Sequence, residues 1–361
     1  MADARPLIVV EDDPFTRIIE LVLDPAAAPA RMAAFGRFFE HDLPDFPRWV
    51  DGVRKRLRSL HPARVILVSS ETGLAAALPE AHAVVVEGFR LGKEEIAQAP
   101  RLRAVQKFGT ITSNIDTAAC KARGIRVLTL RRRANIACAE HALGLMLAAA
   151  RGICATNGLI SVGRLEQAGY SPTTYDRAHT ANSNWARITG LRTLYGAELG
   201  IVGLGEIGRE LALRAAACGM RIAYTQRHRL DAAEEARHSA RYLSLDELIS
   251  GSDFVSLNLP GNATTRGIIG RRELARLKDG ALLVNVSRAD LVDRAALTEA
   301  LEAGRLGGYV TDLPFEEPAR DDDPLLRFRN VIVTPHIAAQ PRFNALDDFE
   351  ELLLKLDGAL K

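Results

Sequence analysis

The chain has 361 residues, of which 47% are hydrophobic and 25% are charged, so its length predicts two globular domains with sizeable cores. A formal net charge of +2 is too small for the basic surface by which proteins bind nucleic acids or membranes, so neither is an expected partner. The cysteines lack metal-binding spacing, no apolar run is long enough to span a bilayer, and the N-terminus is charged, which together predict a cytoplasmic protein without a metal site.

The first third of the chain alternates strand-like and helix-like segments. Alternation of this kind predicts a parallel sheet that is covered by helices on both faces. The predicted strands are 7–10, 64–70, 83–89 and 103–109, and the predicted helices are 48–60 and 115–124.

Residues 11–47 fit this alternation poorly. They are rich in proline and alanine, and they contain the aromatic segment FGRFFEHDLPDF. Two interpretations fit equally well: an elaborated surface loop, or an arm that contacts a second copy of the chain in a dimer.

From Asn135 the pattern changes to a long apolar helix, which a polar stretch at about 156–184 follows. Six strand-like segments then come in succession, mostly separated by helical ones, which predicts a doubly wound dinucleotide-binding domain. The last segment, DDFEELLLKLDGAL, is amphipathic and is expected to return as a helix to the first domain. The six strand-like segments are ELGIVG, RIAYT, DFVSLNLP, ALLVNVS, GGYVTDL and VIVTPHI.

The glycine-rich turn GIVGLGEIG is the strongest local motif of the chain. Gly203 is expected to permit a tight turn, Gly205 to let a pyrophosphate approach the backbone, and Gly208 to allow close packing of the helix on the strand. Glu206 and Ile207 open that helix, whose N-terminal amides would face the phosphates. A position between an apolar strand and a helix favours a nucleotide site over a chance glycine turn.

The segment YTQRHR, residues 224–229, follows the second strand of this domain. An acidic residue normally holds the ribose hydroxyls at this point. Gln226 stands there without a charge that would repel a 2′-phosphate, and Arg227 and Arg229 offer donors that suit phosphate. The alternative is that both arginines are solvated loop residues. The pattern favours NADP(H) as the cofactor, with NAD(H) as the second choice.

Three residues with useful chemistry fall near predicted strand ends, where such sheets bind ligands. They are Arg288 in LVNVSR, Glu317 in TDLPFEEP and His336 in VTPHI. Histidine exchanges a proton near neutral pH, a paired carboxylate fixes its tautomer, and arginine grips a carboxylate. Each residue alone has an ordinary explanation, as a salt bridge, a solvated acid or a helix-start residue. Together they predict a site for hydride transfer.

The chain resembles the D-isomer-specific 2-hydroxyacid dehydrogenases over residues 101–340. The resemblance implies that Arg288, Glu317 and His336 are catalytic, that Asp312 holds the cofactor amide, and that the protein is a homodimer paired mainly through its cofactor domains. YTQRHR is most similar to the NADPH-preferring glyoxylate/hydroxypyruvate reductases. The motifs that carry the resemblance, in the order of the family, are NIACAEHALGLMLAAAR, GIVGLGEIG, LLVNVSRADLVDRAAL, GYVTDLPFEEP and VIVTPHIAA.

The segment GTITSNID departs from the substrate loop of the family, G-x-G-x-D-x-I-D. Ile111 and Ser113 stand where the family usually has its second glycine and its aspartate. The resemblance implies that backbone amides of this loop bind the substrate carboxylate. The expected substrate-binding residues are Phe108, Gly109 and Thr110, together with Arg288.

Three consecutive arginines, Arg131, Arg132 and Arg133, are a second departure, because the family commonly has a Pro-Gly turn there. One interpretation is a solvated loop. The other is a basic patch that selects a dianionic or phosphorylated substrate.

The predicted fold class is therefore α/β with two doubly wound parallel-sheet domains, a Rossmann-type cofactor domain inserted in a flavodoxin-like substrate domain. The substrate domain is expected to comprise residues 1–133, to which 338–361 return, and the cofactor domain residues 134–337. The predicted reaction is hydride transfer between NADP(H) and C2 of a small 2-oxoacid or 2-hydroxyacid such as glyoxylate or hydroxypyruvate. The alternatives are a cofactor-sensing regulatory protein on the same fold, or a dehydrogenase of this fold that acts on another oxidisable anion.

Overall fold

The computed structural model describes residues 5–361, which divide into two compact units. Unit 1 contains the described residues up to Ile136 together with Ala339–Lys361, and unit 2 is Ala137–Ala338. Both units are built on parallel sheets, so the predicted fold class is confirmed. The assignment of substrate to residues 1–133 with 338–361, and of cofactor to 134–337, stays a prediction. Within residues 5–361, no helix has the length and apolar character needed to cross a membrane.

Unit 1 contains a five-stranded parallel sheet in the order β2-β1-β3-β4-β5, which is the flavodoxin-like order. The third strand ends at Val86, earlier than predicted, because the next amides leave the sheet. The Glu11 carboxylate accepts hydrogen bonds from the N–H groups of Glu87 at 2.7 Å and Phe89 at 2.9 Å. The strands are β1 Leu7–Glu11, β2 Arg64–Val68, β3 Ala83–Val86, β4 Ala104–Lys107 and β5 Arg126–Leu128.

Residues 11–47 contain two helices, Arg17–Leu23 and Pro29–Phe39, which lead into a third at Phe46–Arg56. The ring centroids of Phe39 and Phe46 lie 5.3 Å apart in a stacked arrangement, and both side chains are buried. The interpretation as an elaborated surface loop is therefore wrong, because the aromatic residues of this segment form part of the core of unit 1. The interpretation as a dimer arm stays a prediction. The other helices of unit 1 are Glu71–Ala77, Leu78–Glu80 (3₁₀), Lys93–Ala97, Thr117–Ala122 and Phe343–Leu360.

The C-terminal helix Phe343–Leu360 supplies the cap for the long apolar helix, which runs from Arg133 to Ala150. Asp348 is 1% exposed and accepts the N–H of Arg133 at 2.9 Å and a guanidinium N–H of the same arginine at 2.9 Å. Burial raises the pKa of Asp348, and the bonds from Arg133 lower it in part. A carboxylate at a helix N-terminus offsets the unfavourable interaction between the arginine and the helix dipole.

Arg132 is also bound within unit 1. Its guanidinium carbon lies 4.0 Å from the centroid of the Phe108 ring, and its Nη1 lies 2.8 Å from a carboxylate oxygen of Glu87. Arg132 and Arg133 are therefore paired with carboxylates of their own unit. Arg132 and Arg133 are thus not solvated loop residues, and the selection of a dianionic or phosphorylated substrate by this segment stays a prediction.

Unit 2 contains a seven-stranded parallel sheet in the order β12-β11-β10-β9-β6-β7-β8. The winding direction reverses between β6 and β9, and in such sheets ligands bind beyond the carboxyl ends of the strands at this point. The seventh strand, β8, was not predicted, because three residues at a sheet edge are too short to show a pattern. The strands are β6 Glu198–Val202, β7 Arg221–Thr225, β8 Ala240–Tyr242, β9 Phe254–Leu257, β10 Leu282–Asn285, β11 Gly308–Thr311 and β12 Val331–Val333.

The longer helices of unit 2 are Glu206–Ala217, which follows the glycine turn, and the part of helix Arg133–Ala150 from Ala137 onward. The polar stretch at 156–184 is mostly irregular and contains one complete helix, Val162–Gln167. The remaining helices are Ile153–Thr156, Ala232–Arg237, Leu245–Gly251, Arg271–Arg276, Ala289–Leu291 (3₁₀), Arg294–Glu302 and Pro324–Arg327 (3₁₀).

We expect Asp348→Ala to lower the free energy of unfolding of unit 1. The substitution leaves the backbone N–H of Arg133 without its buried acceptor, which typically costs about 1–3 kcal/mol, while the guanidinium keeps its bond to Glu351 at 3.0 Å. Asp348→Asn should cost less, because the amide oxygen can still accept. Urea unfolding monitored by circular dichroism measures the loss. Asp347→Ala, at the exposed neighbouring position, is the matched control, and equal effects of the two alanine variants would contradict the capping role.

Candidate active site

The glycine turn after β6 requires glycine at two of its three positions. Gly203 has φ +96°, and a Cβ there would lie 2.5 Å from the carbonyl oxygen of Asn258. A Cβ at Gly208 would overlap the carbonyl oxygen of Gly203, so the helix lies directly against the turn. A Cβ at Gly205, in contrast, would have no atom within 4 Å and would project into open space.

This open space lies at the N-terminus of helix Glu206–Ala217, for which Gly205 is the N-cap. Glu206, Ile207 and Gly208 are its first residues, and the first amides of a helix have no acceptor within the helix. Together with the helix dipole they favour a bound anion. Open space at the N-terminus of this helix fits the pyrophosphate of a dinucleotide.

Gln226 connects the glycine turn to the loop that follows β7. Its Oε1 accepts the N–H of Leu204 at 3.2 Å, and its Nε2 donates to the carbonyl oxygen of His228 at 2.6 Å. The side-chain amide is therefore fixed by bonds in both directions, and the position that often carries an acid is uncharged here.

The two arginines that follow lie in different surroundings. Arg227 is exposed to solvent. Arg229 is 64% exposed but donates two bonds to Glu235, at 2.8 and 2.9 Å, and Glu235 also accepts the Tyr224 hydroxyl at 2.8 Å. The hydrogen bonds from Arg229, which have the largest effect, and from Tyr224 lower the pKa of Glu235 to about 2. Arg229 therefore forms an ion pair with Glu235. The sequence pattern did not indicate this pair.

Arg288 follows β10 and is exposed, with its Nη1 donating to the carbonyl oxygen of Ser287 at 2.6 Å. The stem of Arg288 lies against Gly261, where a Cβ would approach Cγ of the arginine to 2.7 Å. Gly261 thus gives Arg288 the space for its observed conformation. It was not predicted as a site residue, although its place in NLPGN just after β9 was a usable signal.

His336 and Glu317 are in direct contact, with 3.0 Å between Nδ1 and Oε2. Both side chains remain accessible, at 53% and 45% exposure. His336 has φ +55°, a left-handed conformation that non-glycine residues adopt rarely and that often marks functional positions. The structure therefore pairs an accessible imidazole with an accessible carboxylate near the carboxyl ends of β11 and β12.

Asp312 directly follows β11 and is fully buried. Its carboxylate accepts the N–H groups of Ile337 at 2.9 Å and Ala338 at 2.6 Å, and also the hydroxyl of Thr334 at 2.5 Å. The expected role of Asp312 in holding a cofactor amide stays a prediction. What the structure shows is a carboxylate that fixes the turn containing His336.

His141 and Thr334 contribute to the same network and were missed by sequence reasoning. The Nε2 atom of His141 lies 2.9 Å from the Thr334 hydroxyl oxygen, across 193 residues of sequence. Sequence patterns carry no signal for a contact of this separation. His141 was visible only as part of the apolar helix.

The predicted substrate loop lies in unit 1, after β4. The Phe108 ring is buried and stacks on Phe349, with 5.2 Å between the ring centroids. The backbone N–H of Phe108 donates to the carbonyl oxygen of Val86 at 2.8 Å. Gly109 has φ +153°, which favours glycine, and Thr110 is exposed. Phe108 thus has a packing role, and contacts of these three residues with a substrate stay predictions.

The chain is similar to proteins of one enzyme family. A family model described as "D-isomer specific 2-hydroxyacid dehydrogenase, NAD binding domain" matches residues 143–338. The D-3-phosphoglycerate dehydrogenase of Mycobacterium tuberculosis is 34% identical over 314 residues, which are 86% of this chain and 51% of that protein. This chain therefore spans about half the length of the phosphoglycerate dehydrogenases that it matches.

A second curated relative and a solved structure match more completely. Glyoxylate/hydroxypyruvate reductase B of Yersinia pestis is 31% identical over 293 residues, which are 80% of this chain and 85% of that protein. The crystal structure of a glyoxylate reductase from Paecilomyes thermophila superposes with a TM-score of 0.57 at 26% identity, covering 99% of this chain and 96% of that chain.

Because a Cβ has space at Gly205 but not at Gly208, alanine at these two positions should have different effects on stability. Gly208→Ala should lower the free energy of unfolding by about 1–3 kcal/mol, the usual range for overpacking. Gly205→Ala should stay within about 1 kcal/mol of the wild type, the order of the difference between glycine and alanine at an N-cap. Denaturant unfolding of both variants measures this. A Gly205→Ala variant as unstable as Gly208→Ala would show that the space is not open.

Proposed function

The chain belongs to the D-isomer specific 2-hydroxyacid dehydrogenase family, and from this premise we propose that it is an oxidoreductase acting on a small 2-oxoacid or 2-hydroxyacid. The resemblance predicted from the motifs is thereby confirmed. The proposed reaction is hydride transfer between NADP(H) and C2 of the substrate, with glyoxylate and hydroxypyruvate as the proposed 2-oxoacids. The observation that carries this proposal is the accessible His336–Glu317 pair, with 3.0 Å between Nδ1 and Oε2.

In the direction of reduction, His336 acts as the general acid. Because an ionised carboxylate can only accept, the Nδ1–H of His336 donates a hydrogen bond to Glu317 at 3.0 Å and keeps its proton. The general acid is the imidazolium form, which carries a second proton on Nε2. The Nε2 atom is then left to give its proton to the carbonyl oxygen of the substrate. Arg288 binds the substrate carboxylate and polarises the carbonyl. The nicotinamide, when bound, supplies the hydride that reaches C2.

An enzyme is favoured over a cofactor-sensing regulatory protein. A protein that only bound a nucleotide would need the glycine turn but would have no use for a general acid held by a carboxylate. The accessible pair of His336 and Glu317, with Arg288 exposed after the neighbouring strand, supports catalysis. Failure to reduce any member of a broad 2-oxoacid panel, with tight NADP(H) binding retained, would favour the regulator.

A small monoanionic substrate is favoured over a phosphorylated one, although the curated relatives include D-3-phosphoglycerate dehydrogenases. A phosphorylated substrate calls for unneutralised positive charge. Two of the three candidates for this charge, Arg132 and Arg133, are paired with Glu87 at 2.8 Å and Asp348 at 2.9 Å. The proposed substrates therefore follow the glyoxylate/hydroxypyruvate reductase to which the chain is similar.

NADP(H) is the proposed cofactor because of the residues after β7. Gln226 brings no charge to the position next to the ribose, and Arg227 is exposed beside it. Arg229 stands further along the same loop, where a 2′-phosphate would compete with Glu235 for its guanidinium. Arg227 is thus expected to contribute more to phosphate binding than Arg229.

We also propose a cytoplasmic homodimer that pairs mainly through unit 2. Large apolar side chains of this unit are exposed in and around its irregular segment, among them Ile160 at 83% and Tyr195 at 82%. Exposed apolar patches often mark surfaces that bind another protein. The four cysteines form no disulfide, which supports a reducing compartment.

His336→Asn should lower kcat for 2-oxoacid reduction by at least about a hundredfold, the low end for general acid–base catalysis. The affinity for NADPH should barely change, because the proposed role concerns only the proton. Glu317→Gln should have a milder effect, since it weakens the orientation of the imidazole without removing it. Steady-state kinetics and NADPH fluorescence titration measure the two quantities. The exposed histidine variant His179→Asn is the control, and near-native turnover of His336→Asn would show that the proton comes from elsewhere.

Arg227→Ala should weaken NADPH binding while leaving NADH binding nearly unchanged. A charge-assisted hydrogen bond is worth about 1.5–3 kcal/mol, which corresponds to a rise in Kd of about ten- to a hundredfold. Arg229→Ala should have the same direction and a smaller effect. Arg237→Ala, an exposed arginine on the following helix, is the matched control. Equal losses for NADPH and NADH in Arg227→Ala would rule out a phosphate contact.

A further inference from the structure

We propose that His141 is a positioning residue for His336, and that it acts through Thr334 and Asp312. This inference rests on the proposed function, because it assumes that His336 is the general acid. His141 lies on helix Arg133–Ala150, away in sequence from every residue assigned a catalytic role. The inference is carried by a continuous series of hydrogen bonds from this helix to the turn that presents His336.

At the His336 end of the series, Asp312 holds the backbone of the turn. Three consecutive backbone N–H groups are held by one residue: that of His336 donates to the Asp312 carbonyl oxygen at 2.9 Å, that of Ile337 to Oδ1 at 2.9 Å, and that of Ala338 to Oδ2 at 2.6 Å. These bonds hold His336 at φ +55°, a conformation that costs free energy without them. The orientation of the Asp312 carboxylate therefore determines the direction in which the His336 side chain leaves the backbone.

The middle of the series fixes that orientation. The Thr334 hydroxyl lies 2.5 Å from Oδ1 of Asp312. A hydroxyl has one proton, and an ionised carboxylate can only accept, so Thr334 donates to Asp312. The hydroxyl oxygen of Thr334 is then an acceptor for the next group.

His141 is that next group. Its Nε2 lies 2.9 Å from the hydroxyl oxygen of Thr334 and 3.5 Å from Oδ1 of Asp312. Because Thr334 has already donated its proton, the contact requires a proton on Nε2 of His141. The bonds then run in one direction, from His141 to Thr334 to Asp312, and each donor strengthens the next.

The surroundings argue for a function of this series beyond packing. Asp312 is fully buried, and a buried carboxylate needs every donor that it has. The His141 side chain is 22% exposed, and its Nε2 contacts the Thr334 hydroxyl at 2.9 Å. The imidazole is thus explained by its bond to Thr334, and through it by the turn that carries His336.

The test combines a removal variant, a rescue variant and a double mutant. His141→Leu and Thr334→Val each remove one bond of the series, and each should lower kcat for glyoxylate reduction by about tenfold or more, as small misplacements of catalytic groups do. The Kd for NADPH should change by a smaller factor than kcat, because Asp312 is only one of several residues proposed to bind the cofactor. His141→Gln, which can place an amide N–H near the position of Nε2, should restore most of kcat.

The kcat of the double mutant shows whether His141 and Thr334 act through the same hydrogen bonds or independently. If both residues act through the same bonds, His141→Leu combined with Thr334→Val should be no slower than Thr334→Val alone. Multiplied losses in the double mutant would overturn the inference. So would a kcat of His141→Leu equal to that of the wild type, or a failure of His141→Gln to improve on His141→Leu.

A measurement that needs no turnover keeps this inference distinct from the proposed function. The imidazole NMR signals of His336, identified by their loss in His336→Asn, should shift in Thr334→Val and His141→Leu relative to the wild type. They should return toward the wild-type positions in His141→Gln and stay in place in His179→Asn. An active wild type with unchanged signals overturns the positioning role and leaves the proposed function intact. An inactive wild type with shifted signals overturns the proposed function and leaves the positioning role intact. Should His141→Leu not fold, Thr334→Val and His141→Gln carry the test.

Discussion

The buried carboxylate of Asp312 is the interaction on which the candidate active site depends. A carboxylate away from water is costly unless donors surround it, and here two backbone amides and a hydroxyl do so. The same bonds hold the following turn in a conformation that His336 would not otherwise adopt. The free energy that stabilises the carboxylate is thus also what directs the imidazole toward Glu317. The orientation of His336 therefore depends on the buried carboxylate of Asp312, a residue that need not touch the substrate.

Unit 1 uses the same arrangement where its chain leaves regular structure. The carboxylate of Glu11 accepts the amides after β3, and that of Asp348 accepts the first amide of helix Arg133–Ala150. Asp357 accepts three consecutive amides, at Arg58, Ser59 and Leu60. In each case the amides have no partner in a helix or a strand, and a carboxylate from another segment satisfies them. The loops at these points are therefore set by tertiary contacts.

The difference between segments set by local patterns and segments set by tertiary contacts explains what could be predicted from the sequence. The parallel sheets and the glycine turn follow from local patterns, because apolar runs, caps and the spacing of Gly203, Gly205 and Gly208 are properties of short segments. The helices within 11–47 could not be recognised, because proline and alanine mask their pattern and their aromatic residues are fixed by the core. The pairing of His336 with Glu317 could be proposed because both follow strands. The bond between His141 and Thr334 could not, because no pattern connects residues of two such distant elements.

The loop after β7 shows how contacts change an argument that rests on charge alone. YTQRHR contains two arginines, and the sequence assigned them equal roles. In the structure Glu235 lies in the first turn of the next helix, Ala232–Arg237, where its charge is favoured by the helix dipole. Its carboxylate accepts hydrogen bonds from both Nε and Nη2 of Arg229. The field at the proposed 2′-phosphate position is then that of two cations and one anion. Selectivity for NADP(H) depends on this balance, in which Arg227 supplies the charge that Glu235 does not offset.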